Sequence, residues 1–254
     1  LEFRRVLFRS IPVVAVYSSF LQRAVDQIIE DVCLQNLHVI FAVDRAGLVG
    51  SDGETHQGCF DLSYLSMIPN MTVMAPKNKW ELSDMLKFAV KYNGPIAVRY
   101  PRGEAYDGLE EYRDPIVKGR SELIFRGRET ALLAVGSMVK TGVEVCEKMK
   151  AEGKEITLVN ARFVKPLDEK ILDFLAQEHS LIVTMEENVK SGGFGAAAAD
   201  YLRKNYPNVK VLTVALPDRF IEHGNPEKLK ALAQIDAESV YRRIKEETPD
   251  ERTS

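Results

Sequence analysis

The sequence predicts an α/β protein built from two βα domains with mostly parallel sheets. Three observations carry this. Short β-branched runs alternate with amphipathic helical patterns along nearly the whole chain. The alternation lapses once, over a polar stretch at 103–128, and then restarts. A chain of 254 residues with 45% hydrophobic content is long enough to bury two ordinary cores.

The first ten residues, LEFRRVLFRS, stand apart from this pattern. They carry three Arg around a short apolar run and no initiator Met, and no turn signal separates them from residue 11. A secretory signal needs a longer apolar stretch, so 1–10 is expected to be a non-native leader. The run IPVVAVY (11–17) predicts a buried strand. Next, FLQRAVDQIIEDVCLQ (20–35) places Leu21, Ala24, Val25, Ile28, Ile29 and Val32 on one helical stripe. A strand at 38–43 leads into a Gly-rich loop at 44–58. A second cycle gives strand 71–76, helix 79–92 and strand 95–101. These elements make a first domain over 11–112, with 113–128 as linker.

The second domain, 129–247, opens with strand 130–136 and a helix running to Lys150. EITLVNARFV (155–164) reads as one strand, and Pro166 with Asp168 opens a helix to about residue 177. Strand 180–187, a Gly-rich turn and helix 196–205 follow. Strand 209–217 closes the sheet, short helices occupy 226–233 and 237–247, and 248–254 is a tail.

Charge and cysteine content narrow the function. With 34 basic and 37 acidic residues the formal charge is −3, so the broad cationic field of a nucleic-acid binder is missing and any anion must be held locally. Cys33, Cys59 and Cys146 are scattered without CxxC spacing, which argues against a disulfide framework or structural zinc and fits a reducing cytoplasm. No apolar run approaches the ~18 residues of a membrane helix.

The densest chemistry lies in DRAGLVGSDGETHQG, 44–58, directly after a buried strand, where parallel α/β sheets place their sites. Four Gly, two Asp, a Glu, an Arg and a His in fifteen positions read either as a polar turn or as a site. It is not a P-loop, since no Gly-Lys-Ser/Thr follows, nor a dinucleotide fingerprint, since no helix opens from it. His56 with Cys59 supplies only two zinc ligands.

VYSSFLQRAVDQ (16–27), DRAGLVGSDGETHQG, VRYPRG (98–103) and RFVKPLD (162–168) together resemble the 1-deoxy-D-xylulose-5-phosphate synthases, a family of thiamine-diphosphate enzymes, in order from about Ile11 to Glu247. The DGxTHQ core is shared with transketolases; DRAG before it and YPRG after it are more specific. The resemblance implies a pyrimidine-binding domain followed by a transketolase-type C-terminal domain. It also implies that the chain starts inside the first of these, without the GDG-type metal motif or the glutamate that activates the cofactor. The parent reaction is a decarboxylative condensation of pyruvate with D-glyceraldehyde 3-phosphate, giving 1-deoxy-D-xylulose 5-phosphate and CO2 for isoprenoid, thiamine and pyridoxal synthesis. Thiamine diphosphate and Mg2+ serve the whole enzyme, a homodimer through its C-terminal domain in the bacterial cytoplasm or plastid stroma. The chain alone is then expected to be inactive.

Carried over residue by residue, the resemblance makes Phe20 the ring against the cofactor's aminopyrimidine, an aromatic face for a planar heterocycle. Tyr17 lines the substrate pocket, where its phenol can hydrogen-bond a carbonyl or phosphate. Arg45 and Arg102 anchor the acceptor phosphate, for which the guanidinium fork is suited. Asp52 contacts acceptor hydroxyls, and His56 relays protons at the acceptor carbonyl. Arg23 reads as a pocket residue or a surface ion pair. His38 reads as packed, His179 as complementing a helix dipole, and His223 as a turn residue. SGGFG (191–195) reads as a tight strand-to-helix turn or a phosphate cradle. The competing readings are a β subunit of a 2-oxoacid dehydrogenase or split transketolase, which would need the activating glutamate on this chain, and a non-catalytic dimerisation module, which would not need Arg45, Asp52, His56 and Arg102.

Overall fold

The structure is a computed structural model describing residues 10–248; the leader and tail therefore lie, apart from Ser10 and Thr248, outside the described residues. It is α/β with two five-stranded sheets, as the sequence predicts. The first sheet has the order β1-β2-β4-β3-β8. It is built from β1 (Val13–Tyr17), β2 (Ile40–Asp44), β4 (Ile96–Arg99), β3 (Thr72–Met74) and β8 (Phe163–Lys165). All pairs are parallel except β3 with β8. The second sheet has the order β10-β9-β6-β7-β5, from β10 (Lys210–Leu216), β9 (His179–Val189), β6 (Glu129–Ala134), β7 (Thr157–Asn160) and β5 (Glu122–Phe125). Only β5 runs antiparallel.

The central strands β2, β3 and β4 are buried on both faces, as near-continuous apolar runs in a covered parallel sheet should be. The helices α3 (Lys79–Lys91), α5 (Glu169–Glu178), α7 (Pro226–Leu232) and α8 (Ala237–Glu247) each start on a side-chain cap, from Asn78, Asp168, Asn225 and Asp236 respectively. Each cap oxygen takes a backbone N–H that the first turn leaves unpaired. Helices α2 (Asp61–Ser66), α4 (Met138–Ala151) and α6 (Phe194–Asn205) complete the set with α1, described next.

Four expectations need correction. Strand β1 is not buried: it is the sheet's edge, and Val13 is 58% exposed. The predicted helix 20–35 is α1, spanning 18–33, but its winding changes from α (Ser18–Leu21) through a 3-10 turn (Gln22–Ala24) and an α turn (Val25–Gln27) to a π segment (Ile28–Cys33). The apolar stripe still faces inward, with Leu21, Ile28 and Val32 buried; periodicity reports the buried face, not the local winding. The connection 103–128 contains β5. The single strand expected over 155–164 is two strands in different sheets: at Arg162 the backbone takes φ +53°, and the chain leaves β7 to enter the first sheet as β8.

The two halves consequently share a core. The largest apolar cluster runs from Leu21, Ile28 and Phe41 through Val73 to Leu133, Val159 and Leu172. Leu48, within the Gly-rich loop, and Cys59, just after it, are buried in the second half's own cluster with Met138, Val183 and Leu216.

Candidate active site

Tyr17 ends β1 and pairs in register with Asp44, the last residue of β2. Phe20 follows in the first turn of α1, Arg45 directly after β2, and Arg102 just beyond β4. These are the carboxyl ends of adjacent parallel strands, where helix starts and loops converge.

The side chains form one continuous row. Arg102 Nη1 and Arg45 Nη1 lie 3.2 and 3.3 Å from the same atom, Asp52 Oδ2. The Arg45 guanidinium carbon sits 4.0 Å from the centre of the Tyr17 ring. Tyr17 and Phe20 have ring centres 5.4 Å apart, and Phe20 meets His56 edge-to-face at 5.4 Å. His56 Nδ1 is 2.9 Å from Thr55 Oγ1, which leaves Nε2 as the ring atom with no hydrogen-bond partner among the described residues. Arg23 is exposed and lines the groove beside Phe20 and His56, with no ion pair among the described residues. Six of the seven predicted residues thus join the row, and Arg23 stands at its margin.

The loop that carries Arg45, Asp52 and His56 is closed at its base by two backbone hydrogen bonds between Gly47 and Gly58, of 2.7 and 2.8 Å. Gly58 has no room for a side chain, since a Cβ there would lie 2.3 Å from the Arg45 carbonyl. Inside the loop, Gln57 Oε1 accepts the Val49 N–H at 2.8 Å while its Nε2 donates to the Glu222 carbonyl at 3.1 Å. Arg45 itself has φ +57°, a left-handed conformation that costs about 1–3 kcal/mol for a non-glycine residue. Its N–H donates to Asp44 Oδ1 at 2.7 Å, and the contacts to Tyr17 and Asp52 hold the side chain.

Two open cavities flank the row. One, of about 560 Å³, is lined by Phe20, Arg23, His56, Phe60 and Phe220. The other, of about 810 Å³, is lined by Arg45, Tyr100, Arg102, Lys140 and Lys230. Phe20, 39% exposed, presents free aromatic surface to the first cavity, which suits a planar heterocycle. The second mixes cations, Arg45, Arg102, Lys140 and Lys230 among them, with the carboxylates of Asp44, Glu104, Glu187 and Glu227, so an anion there would be met by the Arg45 and Arg102 guanidinium groups rather than by a broad positive field. Among the described residues no group of three or more His, Cys, Asp or Glu is placed to hold a metal ion. No described helix is long and apolar enough to cross a membrane.

The remaining candidates are structural. Burial pushes the Cys33 thiol up to about 11 and Cys146 to about 12, and raises Cys59 still further, so all three are free, packed thiols. His38 Nε2 donates to the Ala89 carbonyl at 2.9 Å. His179 complements the end of α5 through a ring N–H donated to the carbonyl of Leu175 in its last turn, as a buried ring rather than as an exposed charge. It is 6% exposed, its Nδ1 lies 3.0 Å from the Leu175 carbonyl and its Nε2 2.7 Å from Thr157 Oγ1, and burial lowers its pKa so that the neutral ring is favoured. His223 sits in the turn before Gly224. The SGGFG turn is no phosphate cradle: the Glu186 carboxylate already takes the Phe194 and Gly195 N–H groups, at 2.9 and 2.7 Å.

Sequence reasoning missed two buried charge networks. Lys77, Glu81, Glu122, Asn160 and Arg162 form one, with Arg162 reaching Glu81 and Glu122 at 2.6 Å each. In the other, Arg99 holds Asp61 at 2.8 Å. Their signal was a charge set inside an apolar run, in IAVRY and NARFV.

Known proteins share the two domains of this chain. Residues 7–107 match the transketolase pyrimidine binding domain, and residues 119–240 match the transketolase C-terminal domain. The 1-deoxy-D-xylulose-5-phosphate synthase of Lachnoclostridium phytofermentans is 54% identical over 234 residues, 92% of this chain and 37% of its own length. The synthase 1 of Geobacter metallireducens is 49% identical over 236 residues, 92% of this chain and 38% of its own. Among solved structures, a split gene transketolase described as an inactive beta4 tetramer superposes with a TM-score of 0.85 at 27% identity, over 93% of this chain and 76% of that one. The chain thus spans a little over a third of the length of the curated relatives it matches. With two transketolase domains end to end and this degree of identity, the chain belongs to the transketolase family, on the branch of the 1-deoxy-D-xylulose-5-phosphate synthases.

Proposed function

We propose that this chain forms the acceptor-binding part of a 1-deoxy-D-xylulose-5-phosphate synthase, which condenses pyruvate with D-glyceraldehyde 3-phosphate and releases CO2. The observation that carries the reading is the convergence of Arg45 and Arg102 on Asp52, in one row with Tyr17, Phe20 and His56. Two guanidinium forks grip the acceptor phosphate, and Asp52 holds them together and faces the acceptor hydroxyls. His56 Nε2 moves a proton at the acceptor carbonyl. Phe20 packs on the cofactor pyrimidine, and Tyr17 and Arg23 line the pocket.

Thiamine diphosphate, when bound, supplies the electron sink for decarboxylation and carbon–carbon bond formation. The Mg2+ and diphosphate ligands are assigned to a further domain, and these residues alone do not turn over. The working form is a homodimer through the C-terminal domain, in a bacterial cytoplasm.

Arg45→Ala and Arg102→Ala, each assayed in the complete cofactor-loaded enzyme, are expected to raise KM for D-glyceraldehyde 3-phosphate about 10- to 100-fold, the loss of one charge-assisted phosphate contact of ~1.5–3 kcal/mol. Unchanged acceptor KM in both would sink the assignment. Thiamine-diphosphate-dependent consumption of pyruvate by the 254-residue chain alone would refute the need for the further domain.

A further inference from the structure

The second half reaches into the acceptor loop through Glu187, near the end of β9. This side chain is 3% exposed, and burying an anion costs several kcal/mol unless its lone pairs are met. Here they are. Oε1 accepts the Leu48 N–H at 2.9 Å and Oε2 accepts from Ser137 Oγ at 2.7 Å. The Glu187 backbone carbonyl accepts from Arg99 Nη2 at 3.2 Å, which places a buried cation beside it. The loop is shaped to receive the carboxylate: Gly47 has φ +79°, and a Cβ at that position would lie 2.6 Å from Glu187 Cδ.

Leu48 is three residues beyond Arg45, and between them the chain turns through the left-handed Arg45 and Gly47. Whatever holds the Leu48 amide therefore fixes the direction in which Arg45 leaves β2. The Ala46 N–H, bonded to the Tyr100 carbonyl at 3.0 Å, ties the same turn to the segment that carries Arg102. Neighbouring residues of β9 brace the far side, with Asn188 Oδ1 accepting the Leu62 N–H at 3.2 Å and the Val189 N–H donating to the Cys59 carbonyl at 2.9 Å.

We propose that Glu187 is a positioning residue for the phosphate acceptor, by which the C-terminal half sets the spacing of Arg45 and Arg102. The proposal rests on the reading of those two arginines as the acceptor clamp. In the complete enzyme, Glu187→Ala is expected to raise KM for D-glyceraldehyde 3-phosphate by about tenfold or more, the scale of a small misplacement of a binding group, with pyruvate KM held within about twofold. Glu187→Gln can offer its amide oxygen to Leu48 while the Ser137 hydroxyl turns to accept from its NH2, and should recover most of the loss. In the 254-residue chain itself, hydrogen exchange at the Leu48 amide should accelerate in Glu187→Ala and not in Glu187→Gln.

An unchanged acceptor KM in a folded Glu187→Ala, an equal rise in both substrates' KM, or a Gln variant as poor as the Ala variant overturns the proposal. If Glu187→Ala does not fold, Ser137→Ala, which removes only the bond at Oε2, takes its place: a several-fold rise in acceptor KM supports the proposal and wild-type KM overturns it. If Arg45→Ala and Arg102→Ala also leave acceptor KM unchanged, the clamp reading itself has failed. If they raise it while the Glu187 variants do not, only the positioning role is lost.

Discussion

Arg45 sits over the ring of Tyr17, its guanidinium carbon 4.0 Å from the ring centre. Since Tyr17 ends β1 and Arg45 follows β2, this contact joins the tips of two neighbouring strands across the site. A cation–π contact that is partly desolvated contributes about 0.5–2 kcal/mol. Tyr17→Leu is therefore expected to raise acceptor KM by about 3- to 30-fold, while Tyr17→Phe keeps the ring and stays close to wild type. Steady-state kinetics with both variants separates the ring from the hydroxyl: equal losses would assign the effect to the phenol.

His56 lines the groove and carries its hydrogen bond to Thr55 on Nδ1, which leaves Nε2 unpaired among the described residues. Replacing it by Ala should lower kcat by about 10²-fold or more, as expected for removal of a general acid–base group, with little change in thermal midpoint. A kcat within a factor of about three of wild type would remove His56 from proton transfer.

Arg162 is 2% exposed and bonds two buried carboxylates, Glu81 and Glu122. Arg162→Met keeps much of the volume and leaves both carboxylates short of positive charge, with Lys77 the remaining cation in the cluster. Breaking a buried pair by removing one partner costs about 3–5 kcal/mol. Urea unfolding should show a loss of that size, and the triple replacement of Arg162, Glu81 and Glu122 by apolar residues should recover part of it.

Burial pushes the Glu186 carboxyl up to about 7, against the lowering effect of the Phe194 and Gly195 N–H groups. The folded state then holds this proton more tightly than the unfolded chain does, so the stabilising contribution is complete below the ordinary value of 4.5 and is lost as pH rises to about 7. His179 acts oppositely: its folded pKa is lowered from 6.5, so its contribution is complete above 6.5 and is lost as pH falls below that value through the folded pKa. Comparing wild type with Glu186→Gln isolates the first effect. Between pH 5 and pH 7.5 the wild type should lose more unfolding free energy than the variant, and parallel pH profiles would refute the buried-proton account.

Much of this molecule is legible from residues alone, for a physical reason. Runs such as IFAV and IAV sit in a parallel sheet covered on both faces, so local composition and tertiary place agree. The site was legible because loops after such strands hold few apolar residues, which leaves Arg45, Asp52 and His56 conspicuous. What escaped depends on long-range placement. VVAV reads the same in a central or an edge strand, and only the neighbours of β1 decide. Glu122 is unremarkable by itself, and the charge of Arg162 inside NARFV gains its meaning only when the two meet across forty positions. Glu187 likewise shows its purpose only when Leu48, from the other half, is beside it.

The crossing at Arg162 has one more consequence. Because β8 lies in the first sheet, a cut anywhere in 113–128 does not yield two self-sufficient pieces: residues up to the cut would leave β3 with a bare edge, where the apolar Val73 and Met74 wait for partners from 163–165. An unpaired apolar strand edge is a template for aggregation. The boundary in sequence is thus not a boundary in folding, and each half completes only in the company of the other.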